Sequence, residues 1–186
     1  MHRDIKPQNI LISKDQTKVI LVDFNVAKAH NEDEDILMYT SGAGTLSFAA
    51  PERITNAAAG YTEKVDVWAA GIVLVMLLTG EHPFDEGNGS ATQVMNCIID
   101  GEDICREFLN EHDEISEEVK DLAMTMVRMD PNARPSCAEA LEHPWFSKND
   151  FYQTMLETTK SRLVVRKDAK LADPEEFRLK ENLNMS

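Results

Sequence analysis

The sequence is poor in features that would point to several classes of protein. It has 19 Lys and Arg residues against 33 Asp and Glu residues, a formal charge of −14, and this deficit of cations argues against a nucleic-acid-binding surface. Its cysteines are odd in number and follow no CxxC or metal-ligand spacing, so we predict a reducing, cytoplasmic location. The longest uncharged apolar run, residues 67–78, is too short to cross a bilayer of about 30 Å. We therefore expect neither a membrane span nor a secretory signal.

The remaining patterns predict a mainly α-helical domain with one small hairpin, an α+β arrangement. Short β-prone runs at residues 9–12 and 19–22 are separated by a polar stretch, which is typical of a hairpin. Residues 27–50 show no sustained period and are predicted to be a long loop. After residue 146 charged residues alternate with few large apolar ones, and this tail is either solvated or partly folded against the body.

Helix start and stop signals divide the middle of the chain. Thr62 as an N-cap and Gly80 as a stop predict a helix at about residues 63–79, apolar on nearly every face. Apolar spacing predicts further helices at 91–99 and 117–129. A capping box formed by Ser136 and Glu139 predicts a short helix before residue 143.

The residues that carry chemistry lie at the start of the chain. Residues 2–9 read HRDIKPQN, and Asp23, Phe24 and Asn25 begin fourteen residues after Asn9. This segment resembles the catalytic loop of eukaryotic protein kinases, H-R-D-x-K-P-x-N, followed by a variant of the metal-binding D-F-G. Because six specified positions match at once, chance agreement is negligible.

The resemblance continues downstream. Residues 44–52 read GTLSFAAPE and are similar to the end of a kinase activation segment, and residues 66–71 read DVWAAG, like the start of the helix that anchors the lower lobe. The ending HPWF at 143–146 is typical of the calcium/calmodulin-dependent-like branch. The resemblance covers about residues 2–146 and implies a protein-kinase-like fold, the C-terminal lobe only. We accordingly expect a partial kinase domain at 1–146 and a charged tail at 147–186.

The resemblance also implies roles for individual residues in phosphoryl transfer from ATP, which needs positioning and charge neutralisation. Asp4 would orient the substrate hydroxyl and accept its proton, and Lys6 would offer a cation to the transferring phosphoryl group. Asn9 and Asp23 present oxygen ligands suited to Mg²⁺. The expected nucleotide-binding residues are Lys6, Asn9, Leu11 and Asp23.

Two further residues bear on the substrate. Lys6 is typical of kinases that act on serine and threonine, and Thr45, counted with the catalytic residues, agrees with that assignment. Protein substrates with Ser or Thr hydroxyls are therefore the expected partners. Kinases that prefer basic substrates often carry acidic side chains where this chain has Gln8 and Met76.

Arg3, beside Asp4, suggests control by phosphorylation, because a guanidinium can bind a phosphate through two hydrogen bonds and order the loop that bears it. Ser41 is the best-placed acceptor for an upstream kinase and Thr40 is the second. The alternative is that these hydroxyls are ordinary solvated loop residues.

Three other residues have mainly structural expectations. Glu52 and Arg134 are expected to form a buried ion pair. Asp66, at the start of an apolar helix, is expected to accept backbone donors of the catalytic loop, to cap its own helix, or both.

The sequence departs from the family in two ways. Asn25 stands where the family has Gly, although Asn also visits left-handed conformations. No G-x-G-x-x-G loop or ATP-gripping Lys and Glu pair is found, so we expect an exposed apolar patch on the lower lobe. Three hypotheses stay open: part of a serine/threonine kinase, a catalytically incomplete binding or regulatory module, and a subunit completed by a separate upper lobe.

Overall fold

A computed structural model of the chain describes residues 1–15, 17–27, 46–55, 61–84 and 90–148. Within these ranges the fold is mainly helical, with a two-stranded antiparallel sheet near the start of the chain. The predicted tail from residue 149 onward and residues 28–45 of the predicted loop lie outside the described residues. In the part of the chain that is described, no helix is both long and apolar enough to cross a membrane.

The hairpin is confirmed. Strands β1 (Ile10–Ile12) and β2 (Val19–Leu21) pair in the register Ile10 with Leu21, Leu11 with Ile20 and Ile12 with Val19. A short 3-10 helix, Pro7–Asn9, leads into β1.

The hairpin connection is held by side chains. Asp15 Oδ1 accepts hydrogen bonds from the Ser13 hydroxyl at 2.6 Å and from the Thr17 N–H at 3.2 Å. The hydroxyl of Ser13 in turn accepts from the Lys18 N–H at 3.0 Å. These donors, the Ser13 hydroxyl first, lower the pKa of Asp15 from 3.8 to about 2 because they stabilise the ionised carboxylate.

Seven α-helices follow in the described ranges, and their bounds are these: α1 Pro51–Thr55, α2 Lys64–Thr79, α3 Ala91–Ile99, α4 Gly101–Asn110, α5 Glu117–Met126, α6 Cys137–Leu141 and α7 Pro144–Ser147. A 3-10 turn, Pro131–Ala133, connects α5 to α6. Helices α2, α3 and α6 match the predicted positions closely. Helices α1, α4 and α7 were not predicted.

Helix α2 lies at the centre of the core. Its buried residues are Val65, Val67, Trp68, Ala69, Gly71, Ile72, Val73 and Val75. It ends as expected at Gly80, which has φ +84° and donates its N–H to the Met76 carbonyl at 2.8 Å, a left-handed conformation that glycine adopts without strain. At its start the prediction is wrong: the N-cap residue is Glu63, without a side-chain cap, and not Thr62. The Thr62 hydroxyl accepts only a long bond of 3.4 Å from the Lys64 N–H.

The close approach of α2 and α5 depends on Gly71. A Cβ atom at this position would lie 2.7 Å from Val127 Cγ1 and 2.9 Å from Met126 Cβ, closer than real Cβ atoms approach. The two helices therefore pack backbone against side chain at this point, and the glycine is needed for lack of space rather than for its dihedral angles.

Helix α5 ends at Met126, three residues before the predicted end at Met129. The reason is the carboxylate of Glu102 on α4. Its Oε1 is paired with Arg128 Nη1 at 2.8 Å, and its Oε2 accepts the Met129 N–H at 3.0 Å. Because Met129 N–H bonds to Glu102, it is not available to continue the helical ladder.

Several large apolar side chains are exposed in the described residues. The most exposed are Leu77 at the end of α2, Val19 and Ile12 on the hairpin, and Phe24 just after it, with exposed fractions of 77%, 67%, 58% and 60%. Because Ile12 and Val19 are paired across the two strands, they lie on the same face of the hairpin. Helix α2 is apolar on nearly every face, and its exposure at Leu77 agrees with the expectation of exposed apolar surface.

Candidate active site

The first turn of α2 holds the segment that contains the H-R-D motif. The two carboxylate oxygens of Asp66 accept the backbone N–H groups of His2 at 2.6 Å and of Arg3 at 2.7 Å. One carboxylate thus fixes two consecutive peptide groups, and charge-assisted bonds of this length are among the stronger ones in proteins. This is the contact that the sequence led us to expect of Asp66.

His2 connects this segment to the end of the hairpin. Its imidazole is almost fully buried, and its Nδ1 lies 3.3 Å from the Asp4 N–H while its Nε2 lies 3.0 Å from the Val22 carbonyl. Since Nδ1 accepts from a backbone donor, Nε2 carries the proton and donates to Val22. The ring also packs against Phe24, with the centroids 4.6 Å apart. This connecting role of His2 was not predicted from the sequence.

Asp4 lies between a cation and an amide. Its Oδ2 is 2.8 Å from Lys6 Nζ and 2.9 Å from Asn9 Nδ2. Asn9 Nδ2 also donates to the Asp4 carbonyl at 2.8 Å. The side-chain amide nitrogen of the buried Asn9 therefore holds Asp4. Asn9 Oδ1 must then point away from Asp4.

Asn9 and Asp23 lie at the same end of the hairpin. The Val22 N–H donates to the Asn9 carbonyl at 3.0 Å, one step beyond the strand pairing, so Asp23 follows directly on the partner of Asn9. Asp23 has φ +64° and is exposed, a conformation that is uncommon for a residue with a side chain and clusters at functional sites.

The donor set fits Mg²⁺. Among the described residues no hydrogen-bond donor contacts Asn9 Oδ1 or the Asp23 carboxylate, so these oxygens are available to a hard cation. No group of three or more His, Cys, Asp and Glu side chains in the described ranges could hold a metal ion. Mg²⁺ suits a site of few protein ligands, because it retains waters and binds through substrate phosphates.

Arg3 also has a left-handed backbone, with φ +69°. Its Nε donates to the carbonyl of Val26, and its own carbonyl accepts from Arg53 Nη1 at 2.8 Å. The guanidinium of Arg3 thus contacts the segment that follows Asp23. The predicted phosphate acceptors Ser41 and Thr40 lie outside the described residues, and so does Thr45; their roles stay predictions.

Glu52 and Arg134 join α1 to the far side of the helical core. Arg134 Nη1 and Nη2 donate to Glu52 Oε1 and Oε2 at 2.7 and 2.8 Å, and the Arg134 side chain is fully buried. Its remaining donors bind the carbonyls of Arg128, Lys64 and Met129. The guanidinium also lies over the Trp68 ring, 5.0 Å from its centroid.

Leu11, the residue expected to contact nucleotide, and the two positions compared with kinases of basic-substrate preference make, among the described residues, no side-chain bonds that define a role. Leu11 is half-buried opposite Ile20 in the hairpin. Gln8 is exposed, and Met76 is half-buried against the core.

Sequence reasoning missed Arg53 as well as His2. The histidine could have been found, since it belongs to the H-R-D motif. Arg53 gave no signal, because its bond to Arg3 joins positions 50 residues apart and no local pattern encodes such a contact.

Comparison with known proteins gives a consistent assignment. Residues 1–146 match the family model of the protein kinase domain. The chain is 36% identical over 147 residues to mouse Serine/threonine-protein kinase H1, covering 77% of this chain and 33% of that protein. It is 33% identical over 147 residues to Calcium/calmodulin-dependent protein kinase cmkA of Emericella nidulans, covering 78% and 34%. The chain therefore belongs to the protein kinase family and spans about a third of the length of these relatives.

A solved structure agrees with this assignment. The Rad53 kinase domain, crystallised with SCD2 and AMPPNP, superimposes with a TM-score of 0.60 at 30% sequence identity, covering 86% of this chain and 59% of that one. The expected protein-kinase-like fold is thus supported. The mouse relative is named as a serine/threonine-protein kinase and the Emericella relative as a calcium/calmodulin-dependent protein kinase, which supports a kinase-family function for this chain.

Proposed function

We propose that this chain provides the catalytic loop and C-terminal lobe of a serine/threonine protein kinase that transfers the γ-phosphate of ATP to protein Ser and Thr hydroxyls. The observation that carries the proposal is the Asp4 carboxylate held by Lys6 Nζ at 2.8 Å and Asn9 Nδ2 at 2.9 Å. A carboxylate oriented by two donors suits the binding of a hydroxyl and the acceptance of its proton.

The neighbouring side chains divide the remaining work. Bound ATP with Mg²⁺ would supply the phosphoryl group and neutralise part of its charge. Asn9 Oδ1 and the Asp23 carboxylate would hold the cation, and Lys6 would direct positive charge toward the transferring group. Leu11 would contact the nucleotide through its half-buried apolar side chain. Lys6 and Thr45 favour Ser and Thr as acceptors over Tyr.

The domain boundaries follow from the same proposal. Residues 1–146 would form part of a kinase domain, and residues 147–186 a charged tail. The chain covers about a third of the length of each relative compared above, in agreement with a partial kinase domain.

The test is phosphate transfer by this chain, and by any longer protein that contains it, to a Ser/Thr peptide library with radiolabelled ATP and Mg²⁺. We expect Asp4→Asn and Asp23→Asn to lower the rate by about 10²- to 10⁴-fold. Asp113→Asn, which removes an exposed carboxylate on the loop before α5, is the matched control. Equal labelling by wild type and both site variants would overturn the assignment.

A second candidate function is a kinase-like module that binds partners without transferring phosphate. The exposed apolar side chains of Ile12 and Val19, which are paired across the hairpin, favour it, because adjoining exposed apolar groups can mark an interaction surface. Absence of transfer from every protein that contains the chain, together with saturable binding of a kinase substrate or regulator, would support this alternative.

A further inference from the structure

The residue before Asp4 is held from three directions. Arg3 donates its N–H to Asp66 on α2, donates its Nε to the Val26 carbonyl, and accepts at its carbonyl from Arg53 on α1. A residue with a side chain at φ +69° is strained by about 1–3 kcal/mol and persists only where its surroundings determine its conformation. These three contacts are what the structure provides to hold it.

The contact with Arg53 differs from the others in what it controls. The Arg3 carbonyl and the Asp4 N–H belong to one rigid peptide plane, and that plane sets the direction in which the Asp4 side chain leaves the backbone. On the Asp4 side, the plane is held by a long 3.3 Å contact to His2 Nδ1. On the Arg3 side it is held by the 2.8 Å bond from Arg53 Nη1, a charge-assisted and stronger interaction.

Arg53 is itself placed by an aromatic ring beyond α1 and by the anchoring of α1 to the core. Its guanidinium lies over the Tyr61 ring, 5.3 Å from the centroid, an arrangement that orients the flat cation. Its neighbour Glu52 is bonded twice to the fully buried Arg134. Consecutive residues of a five-residue helix thus reach in two directions, one to the helical core and the other to the catalytic loop.

We propose that Arg53 is a positioning residue for phosphoryl transfer: it orients the peptide plane between Arg3 and Asp4, and so makes the direction of the Asp4 carboxylate depend on the seating of α1 against the core. This inference rests on the proposed function. Arg53 is a positioning residue and not a catalytic one, since it acts through the Arg3 carbonyl rather than on a reacting atom.

The first experiment separates positioning from folding in a protein that contains this chain and transfers phosphate. We expect Arg53→Gln to lower kcat by roughly 10- to 100-fold, since a misplacement of about 1 Å can cost 10²-fold, with KM for ATP unchanged. Arg53→Lys, which keeps the charge but not the flat stacking group, should recover part of kcat. Arg106→Gln, at a half-exposed arginine on α4 paired with Glu102, is the control for loss of one guanidinium.

The second experiment uses hydrogen exchange on this chain and needs no activity. In Arg53→Gln the peptide covering residues 1–12 should exchange faster, while peptides from α5 exchange as in the wild type. A kcat equal to that of the wild type, or a loss matched by faster exchange in α5 and a lower unfolding midpoint, would overturn the positioning role. If the wild type transfers no phosphate, the proposed function fails, and unchanged exchange in residues 1–12 would separately refute the role of Arg53.

Discussion

The carboxylate of Glu52 and the guanidinium of Arg134 meet through two parallel hydrogen bonds of 2.7 and 2.8 Å across 82 positions of sequence. Arg134 is fully buried, whereas Glu52 keeps 13% of its side-chain surface exposed. The arginine also satisfies three backbone carbonyls, so the two partners are not equivalent.

We expect removal of either partner to destabilise the fold by about 3 kcal/mol or more, because a buried charge loses its counter-charge. Arg134→Met should cost more than Glu52→Gln, since it also leaves three carbonyls without their donor. Urea unfolding followed by circular dichroism measures both. The control is Lys148→Met, at the exposed pair with Glu118. This change should cost less than about 1 kcal/mol. Equal losses in all three variants would contradict the special status of the buried pair.

Replacement of Gly71 by Ala tests the packing of α2 against α5. The added methyl group would lie 2.7 Å from Val127 Cγ1 and 2.9 Å from Met126 Cβ, and both atoms are attached close to the backbone and yield little. Overpacking of this kind costs about 1–3 kcal/mol, against a gain of about 1 kcal/mol in helix propensity. A net loss of stability is expected in thermal unfolding.

The control is Leu77→Ala on the same helix, where the side chain is 77% exposed and the change should stay within about 0.5 kcal/mol. A Gly71→Ala variant more stable than the wild type would show that the two helices separate without cost.

The turn of the hairpin should respond to acid. Asp15 has its pKa lowered from 3.8 to about 2 by the Ser13 hydroxyl and by the side chain and N–H of Thr17. A lowered pKa contributes stability that is present above the unfolded value and is lost as pH falls toward the folded value. The difference in unfolding midpoint between wild type and Asp15→Asn should therefore shrink between about pH 4 and pH 2.

Ser13→Ala removes the largest contribution to the lowered pKa of Asp15. In a protein that carries Ser13→Ala, the further change Asp15→Asn should therefore lower the unfolding midpoint at pH 5 by less than it does in the wild type. A difference that stays constant from pH 5 to pH 2 would show that the carboxylate is not held in the folded state.

The cysteines should differ in reactivity. Burial raises the pKa of the Cys105 thiol from 9.0 to about 12, so it stays protonated at pH 8, and the thiol form is not nucleophilic. Cys137 is exposed. Iodoacetamide at pH 8 should modify Cys137 in the native protein and Cys105 only after unfolding, as read by mass spectrometry.

The raised pKa of Cys105 also determines how folding stability changes with pH. Between about pH 9 and pH 12 the unfolded thiol ionises while the folded one does not, so this group's contribution to stability is lost as pH rises through that window. Alkylation of Cys105 in the folded protein at the rate of Cys137 would contradict its burial.

The parts of the fold that the sequence predicted are those with a local signal. The short β-prone runs of the hairpin, the Gly80 stop and the Ser136 capping box each depend on residues within a few positions. Helix α4 was not predicted, because charged residues fill much of that segment. Its apolar residues nevertheless follow helical spacing: Ile104, Cys105, Phe108 and Leu109. The early end of α5 could not be predicted, since it depends on Glu102 of another helix.

The candidate site divides in the same way. The motif around Asp4, Lys6 and Asn9 could be recognised because its members lie within six residues of one another, and the structure brings their side chains together. The bond from Arg53 to Arg3 could not, because it arises from the placement of α1 on the core. Residues that hold a site from a distance have no period or spacing to reveal them.

The two hydrogen bonds from His2 and Arg3 to Asp66 span more than 60 positions. Contacts of such long sequence separation close large loops. The chain loses the conformational entropy of these loops before the contacts compensate for it. The backbone N–H groups of His2 and Arg3 lack these two acceptors until the first turn of α2 exists. Since a chain is synthesised from its N-terminus, the H-R-D segment leaves the ribosome before the carboxylate that fixes its backbone, and its final geometry waits for a residue made more than 60 positions later.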